Sequence, residues 1–272
     1  MKPRTIWLVL AAVAGAGLLA LFNYFAPIQA PSLAVWTGVV SVLAGIVCLI
    51  KPARRAGAVV LLAGIALFAG GMAWPSPLLR VVNAQSKLDE IFPEYQYYEK
   101  HAQRIHASPD RVAAAIEQTT FDDIRVYYTL VRIRAMVMGR RLRREDVEKP
   151  APTRVLAFMR DPASGFVPLY QNSREIVMGM VGYARPYTQR PDVHELTSFQ
   201  AFREPDSVRV AFNLLITDDG GGWSTITSET RILAIGDKAS RATGRYWRLI
   251  YPGSGMIRRM WLNAIEAKAT SD

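Results

Sequence analysis

The apolar positions divide the chain into two regimes. Three uncharged runs fill the first quarter: "TIWLVLAAVAGAGLLALFNYFA" (5 to 26), "SLAVWTGVVSVLAGIVCLI" (32 to 50) and "AGAVVLLAGIALFAGGMAW" (56 to 74). Each holds roughly 19 to 22 residues, enough to cross a ~30 Å hydrocarbon layer as a helix. Gly and Ala recur in all three, as close helix contact in lipid requires. Trp7, Trp36 and Trp74 lie near run ends, where interfacial aromatics are expected. Beyond residue 75 the runs shorten and polar positions alternate with apolar ones. The pattern predicts a transmembrane region over 1–75, a linker over 76–93 and one α+β domain over 94–272.

Within that domain, "EYQYYEKHAQRIHA" (94 to 107) reads as a strand. "SPDRVAAAIEQ" then carries a helix start, with Ser108 as cap, Pro109 at the first helical position and Asp110 at the positive helix end. Val112, Ala115, Ile116 and Thr119 form its buried stripe. "VYYTLVRIRAMVMGRRLRRED" (126 to 146) predicts a longer helix with a basic finish. "GFVPLYQ" and "REIVMGMVGYA" flank an Asn-Ser hairpin turn, "ELTSFQAFR" reads as a further strand, and "SVRVAFNLLITD" and "WSTITSETRILAI" are joined by "DGGG". In "GRYWRLIYPGSGMIRRMWLNAIEAKA" (244 to 269), Pro252 and Gly253 predict a break into two helical pieces. The second piece is amphipathic: Met256, Ile257, Met260, Trp261, Ala264 and Ile265 share one side, Arg258, Arg259, Asn263 and Glu266 the other, and Leu262 is off-pattern. That predicts a core helix with a solvated basic back, against the alternative of an arm that grips membrane or polyanion.

Charge adds orientation. All 23 acids lie beyond Trp74, beside 28 of the 33 bases, so that part is only about +5 of the overall +10. Lys2, Arg4, Lys51, Arg54 and Arg55 flank the apolar runs, and the loop "PIQAPS" carries no charge. The positive-inside tendency places the N-terminus in the cytoplasm and the domain outside, in a multi-pass membrane protein. A cleavable signal peptide ending near "IQA" is the alternative for the first run; its length argues against that, and the domain stays outside either way. An extracytoplasmic domain of mild charge excludes nucleic acid as a sensible partner. Cys48 stands alone in the second run, which excludes an intramolecular disulfide and a zinc-thiolate site.

The strand "YYEKHAQRIHA", the following "SPDRVAAAIEQ" and the closing "RYWRLIYPGSGMIRRMWLNAIEAKA" give the order strand, short helices, antiparallel strands, long terminal helix. This resembles the START-like (SRPBCC, Bet v 1-like) superfamily of helix-grip domains over roughly residues 94 to 270. The resemblance implies a curved antiparallel sheet around the long C-terminal helix, enclosing an apolar cavity for lipids or other hydrophobic molecules; some members are cyclases or dehydratases. It carries over no set of functional positions. The 126 to 160 segment is long and helical for the superfamily, and would cap, fill or enlarge the cavity.

No catalytic, metal or cofactor motif stands out. His101 and His106 face opposite sides of a strand and His194 falls in a loop. Ser254 in "PGSG" lacks the strand-turn-helix setting of a nucleophile elbow and reads as a helix break and cap. "GGG" at 220 to 222 joins two strands and reads as a turn. Asp122-Asp123 and Glu145-Asp146 diverge. Ligand contact is expected at Trp247, Ile257, Met260 and Trp261. Glu229 and Arg231 point the same way on one strand, as an exposed ladder or as a polar anchor in an apolar pocket. Arg140, Arg141, Arg143 and Arg144 in "GRRLRR" form a solvated helix end, or a contact with anionic headgroups at ~1 kcal/mol per base. The leading expectation is a non-catalytic, membrane-anchored module for a lipid or other hydrophobic small molecule, with the bilayer as partner and no cofactor. The alternatives are an enzyme using the same cavity and a structural or interaction module with the cavity collapsed.

Overall fold

The computed structural model describes residues 15–17, 20, 29–50, 54–137, 153–183 and 191–271. They divide into two units, Met1–Pro75 with Gly244–Ser254, and Ser76–Thr243 with Gly255–Asp272.

In the first unit, helices Ala30–Ile50 and Arg54–Ala73 are long and apolar enough to cross a membrane. Of the first apolar run only residues 15–17 and 20 are described, so a third helix over 5–26 lies outside the described residues. The glycines let these two helices approach closely. A Cβ on Gly38 would stand 2.6 Å from Phe68 N, and one on Gly45 2.6 Å from Leu61 N. One on Gly64 would stand 2.7 Å from Val42 N. These are backbone atoms that cannot yield, so the two helices touch because Cβ is missing at the seam. Large apolar side chains such as Leu43, Val59 and Leu62 point outward. The 244–254 stretch belongs to the same unit. There Arg248 is buried, and its guanidinium donates to the carbonyls of Met72 (2.7 Å) and Trp74, which takes up two carbonyls left over at the helix end.

The second unit is α+β. Strands β1 (Leu79–Arg80) and β2 (Glu94–Tyr95) form a small ribbon. Strands β3 (Tyr97–Ile105), β4 (Phe166–Gln171), β5 (Glu175–Tyr183), β6 (Ser207–Gly220) and β7 (Trp223–Ile235) form one antiparallel sheet in the order β3-β7-β6-β5-β4. The β6–β7 turn runs through Gly220, Gly221 and Gly222 at φ of 76°, 60° and 80°, a region that penalises a Cβ. At the β4–β5 turn the Asn172 side chain accepts from the backbone N–H of Arg174 and Glu175. Helix Pro109–Gln118 starts at Ser108 and buries Val112, Ala115 and Ile116, as its stripe predicts.

Alternation along the strands gives the sheet two covered faces. On one, Ile176, Met178, Phe212, Leu214 and Ile226 pack with Trp261, Leu262 and Ile265 of the long terminal helix, Asp237–Thr270, and with helices Pro109–Gln118 and Val155–Arg160. On the other, Val177, Ala211 and Leu169 pack under helices Lys87–Ile91 and Leu196–Ala201.

The structure departs from the sequence pattern in several places. "ELTSFQAFR" holds a helix, not a strand: Ser198 accepts from the N–H of Glu195 at 3.2 Å, and Leu196 and Phe199, three apart, face the core. Residues of the expected linker join the core, with Leu88, Ile91 and Phe92 buried. The terminal helix is continuous through Pro252, and Ser254 lies inside it. A proline removes one helical hydrogen bond at about 3 kcal/mol. Burial of Trp247, Tyr251, Trp261, Leu262 and Ile265, each worth ~1.5–3 kcal/mol, outweighs that loss. Leu262 is fully buried, while Arg258 faces the sheet instead of solvent. Helix Tyr127–Val137 is described, while the rest of the expected 126–146 helix, with Arg140, Arg141, Arg143 and Arg144, lies outside the described residues.

Candidate functional site

The β3–β7 register places Glu99 opposite Thr230 and His101 opposite Ser228, all four on the face turned to the terminal helix. All four are buried. Above them Arg258 donates from Nη2 to Thr230 Oγ1 at 3.0 Å, and its Nε stands 3.5 Å from Glu99 Oε1. The Arg258 guanidinium lies 4.5 Å from the Phe212 ring centroid and 5.4 Å from that of Trp261. Desolvation lowers the Arg258 pKa, and Glu99 opposes that. Burial, reinforced by the positive charges of Arg258 and Arg259, pushes the His101 imidazole down to about 4. It is therefore neutral near pH 7 and offers one donor and one acceptor. Three buried atoms of this seam have no hydrogen-bond partner among the described residues: His101 Nε2, Ser228 Oγ and Trp261 Nε1. An unpaired buried polar group costs about 1–3 kcal/mol, so three together in a core are an unusual expense unless something pairs with them.

The opposite face carries a second polar cluster with different character. Arg231 donates from Nε to Glu229 Oε1 at 2.7 Å and from Nη1 to the Phe92 carbonyl at 3.1 Å, and its Nη2 pairs with Asp89. Glu229 also pairs with Lys100 at 3.2 Å. Nearby, Glu175 accepts from Asn213 Nδ2 at 2.7 Å and from the N–H of Lys87 at 2.8 Å, the latter at the start of helix Lys87–Ile91. Burial pushes the Asp89 carboxyl up, but hydrogen bonds from the Gln85 N–H and from Arg231 outweigh it and hold it below the usual carboxylate value. Glu229 and Arg231 are thus buried and not an exposed ladder. They clip the 87–92 segment to the sheet.

Of the six residues expected to line one cavity, the structure brings Ile257, Met260 and Trp261 into one cluster. Trp247 belongs to the first unit, where it is buried against Tyr251. Ile257 and Met260 are half-buried over the sheet core, and Trp261 is buried beside Phe212 at a centroid distance of 6.2 Å. Glu229 and Arg231 project from the other face, because odd and even positions of β7 point to opposite sides. The meeting of Glu99, Ser228 and Arg258 is not legible in the sequence, because it depends on pairing strands more than 100 residues apart. The available signal was alternation: Ser228 and Thr230 interrupt the apolar face that Ile226 and Ile232 define.

The clefts of the second unit include three lined by described residues. One of about 400 Å³ is lined by residues that include Arg80, Phe92, Glu94, Arg203 and Arg209. One of about 260 Å³ lies between helix Pro109–Gln118 and the β4–β5 turn. The third, about 120 Å³, is lined by residues that include Phe166, Met180 and His194. His194 is exposed and pairs with Asp192, and His106 lies against Trp223. Among the described residues no group of three or more His, Cys, Asp or Glu side chains is placed to hold a metal ion. Comparison of the chain with protein-family models, curated proteins and solved structures gives no match.

Proposed function

We propose that the chain is a membrane-anchored, non-catalytic binding module with a START-like domain, which takes a hydrophobic molecule with a polar end between the sheet and the terminal helix. The observation that carries this reading is that His101 Nε2 and Ser228 Oγ on the sheet and Trp261 Nε1 on the terminal helix are buried with no hydrogen-bond partner among the described residues. A ligand hydroxyl or carbonyl reaching this seam pairs with them, while its apolar body lies against Ile257 and Met260, which are only half-buried. The sheet with a long terminal helix packed on one face agrees with a helix-grip arrangement. The length and apolar composition of helices Ala30–Ile50 and Arg54–Ala73 support a membrane anchor; in this reading 5–26 is a third span, and the positive-inside tendency puts the N-terminus in the cytoplasm and the domain outside.

A second reading, a structural or interaction module, draws on a different observation. Trp261, Leu262, Ile265, Phe212 and Leu214 fill the space between sheet and helix to near-complete burial. Native mass spectrometry of the full-length chain released from detergent separates the two. A stoichiometric co-purifying lipid that is lost in Ser228→Ala and His101→Phe supports ligand binding. A bare chain that also fails to take up lipid from mixed vesicles refutes it in favour of the interaction module.

A further inference from the structure

Arg209 on β6 is the most deeply placed cation of the larger cleft, and only about 5% of its surface is exposed. Its guanidinium lies beside a pair of contacting rings, 5.1 Å from the Phe92 centroid and 5.6 Å from that of Phe199, which are 5.8 Å from each other. Nη1 donates to the carbonyls of Phe199 (3.3 Å) and Gln200 (3.2 Å), at the end of helix Leu196–Ala201. The other edge behaves differently. Nε is buried without a partner, and Nη2 makes no hydrogen bond among the described residues. No carboxylate among the described residues pairs with Arg209. Desolvation, with Arg203 adding to it, lowers its pKa to about 10, so it remains charged near pH 7.

The carboxylates of the cleft are already engaged. Glu94 pairs with Arg80 at 3.0 Å, and Glu90 pairs with Lys87. Arg203, on the rim, spends Nη1 on the carbonyls of Gln200 (2.6 Å) and Phe202 (2.9 Å), and like Arg209 pairs with no acid among the described residues. The cleft therefore holds two guanidiniums with no paired carboxylate among the described residues, one of them desolvated beside aromatic rings and offset only at a distance by Glu94. A buried charge is tolerated when it is paired. The Nε–Nη2 edge of a guanidinium is a fork that matches two oxygens of a carboxylate or phosphate. A volume of about 400 Å³ is at the small end of ligand sites.

We infer that this cleft is an oxyanion site, in which Arg209 grips a carboxylate or phosphate group and Arg203 closes over it. It lies on the sheet face opposite the terminal helix and does not depend on the hydrophobic-ligand reading. The group is carried by a small soluble metabolite or by a lipid headgroup, and the two sources share the same chemistry.

The test uses the full chain reconstituted in neutral phosphatidylcholine vesicles, with thermal unfolding read against inorganic phosphate, acetate and, as a screening control, chloride at matched ionic strength. Phosphate or acetate should raise the midpoint saturably where chloride does not. Arg203→Gln should weaken the apparent affinity by about tenfold, the scale of one lost charge-assisted hydrogen bond. Arg174→Gln, which removes an equal charge from a surface pair with Asp110, should leave it unchanged. Arg209→Gln should abolish saturation; if that variant does not fold, Arg203→Gln against Arg174→Gln decides alone. Vesicles doped with phosphatidic acid distinguish the sources, since a headgroup site is already protected there and free phosphate adds nothing. A phosphate response equal to that of chloride, or equal in Arg203→Gln and Arg174→Gln, overturns the assignment.

Discussion

Replacing Asp89 by Asn isolates the clip between the 87–92 segment and the sheet. The side chain keeps its size and one acceptor, so Gln85 N–H retains a partner, but the charge facing Arg231 disappears. Arg231 is almost wholly buried, and it keeps Glu229 and the Phe92 carbonyl. Removing one partner of a buried pair costs about 3–5 kcal/mol when the other charge is stranded. With Glu229 still present the lower end applies, about 3 kcal/mol. For a domain of this size 1 kcal/mol moves the unfolding midpoint by roughly 2–4 °C, so Asp89→Asn should lower it by about 6–12 °C. The assay is thermal unfolding of the full chain in detergent at pH 7, repeated below pH 4. The Asp89 carboxyl sits below its ordinary 3.8, so its contribution is complete above 3.8 and is lost as the pH falls through the lower folded value. The wild type should therefore lose more stability on acidification than the variant does. A shift under 2 °C at pH 7, with unchanged acid sensitivity, would show that the pair does not fasten this segment.

His101 gives a second window with the opposite chemistry. Its folded pKa of about 4 lies below the ordinary 6.5, so the unfolded chain binds the extra proton between those values and stability rises with pH from 4 to 6.5. The contribution is roughly 3–4 kcal/mol, and His101→Gln should flatten that stretch of the pH–stability curve; an unchanged slope refutes burial as its source. In the first unit, Gly64→Leu forces a side chain onto Val42 N and should separate the helices, lowering the full chain's thermal midpoint. Gly70→Leu, where a Cβ meets nothing within 4 Å, should be silent, and equal effects would refute the close seam. Arg248→Met leaves the carbonyls of Met72 and Trp74 without their donor, and should speed amide exchange at the end of helix Arg54–Ala73. Unchanged exchange there would show that water serves them as well.

Much of the architecture is local, and local chemistry is written in the sequence. Ser108 and Pro109 start a helix, Asn172 and the 220–222 glycines turn hairpins, and uninterrupted apolar runs of about 20 residues make helices of membrane length. Each depends on neighbours within a few positions, so no distant contact was needed to read them. The tertiary structure decided the rest. The segment Leu196–Ala201 is a helix because Phe199 finds a core to enter and Ser198 a backbone to cap; its alternation by itself suited a strand equally well. Pro252 stays helical because burial on both sides outweighs one lost hydrogen bond. Glu229 and Arg231 are buried because Asp89, some 140 residues earlier, arrives to pair with them. His101 meets Ser228, and Arg209 packs beside Phe92 and Phe199, only once non-local strands and helices have packed. Such contacts are set by loop closure and burial across the whole chain, and no window of sequence contains both partners.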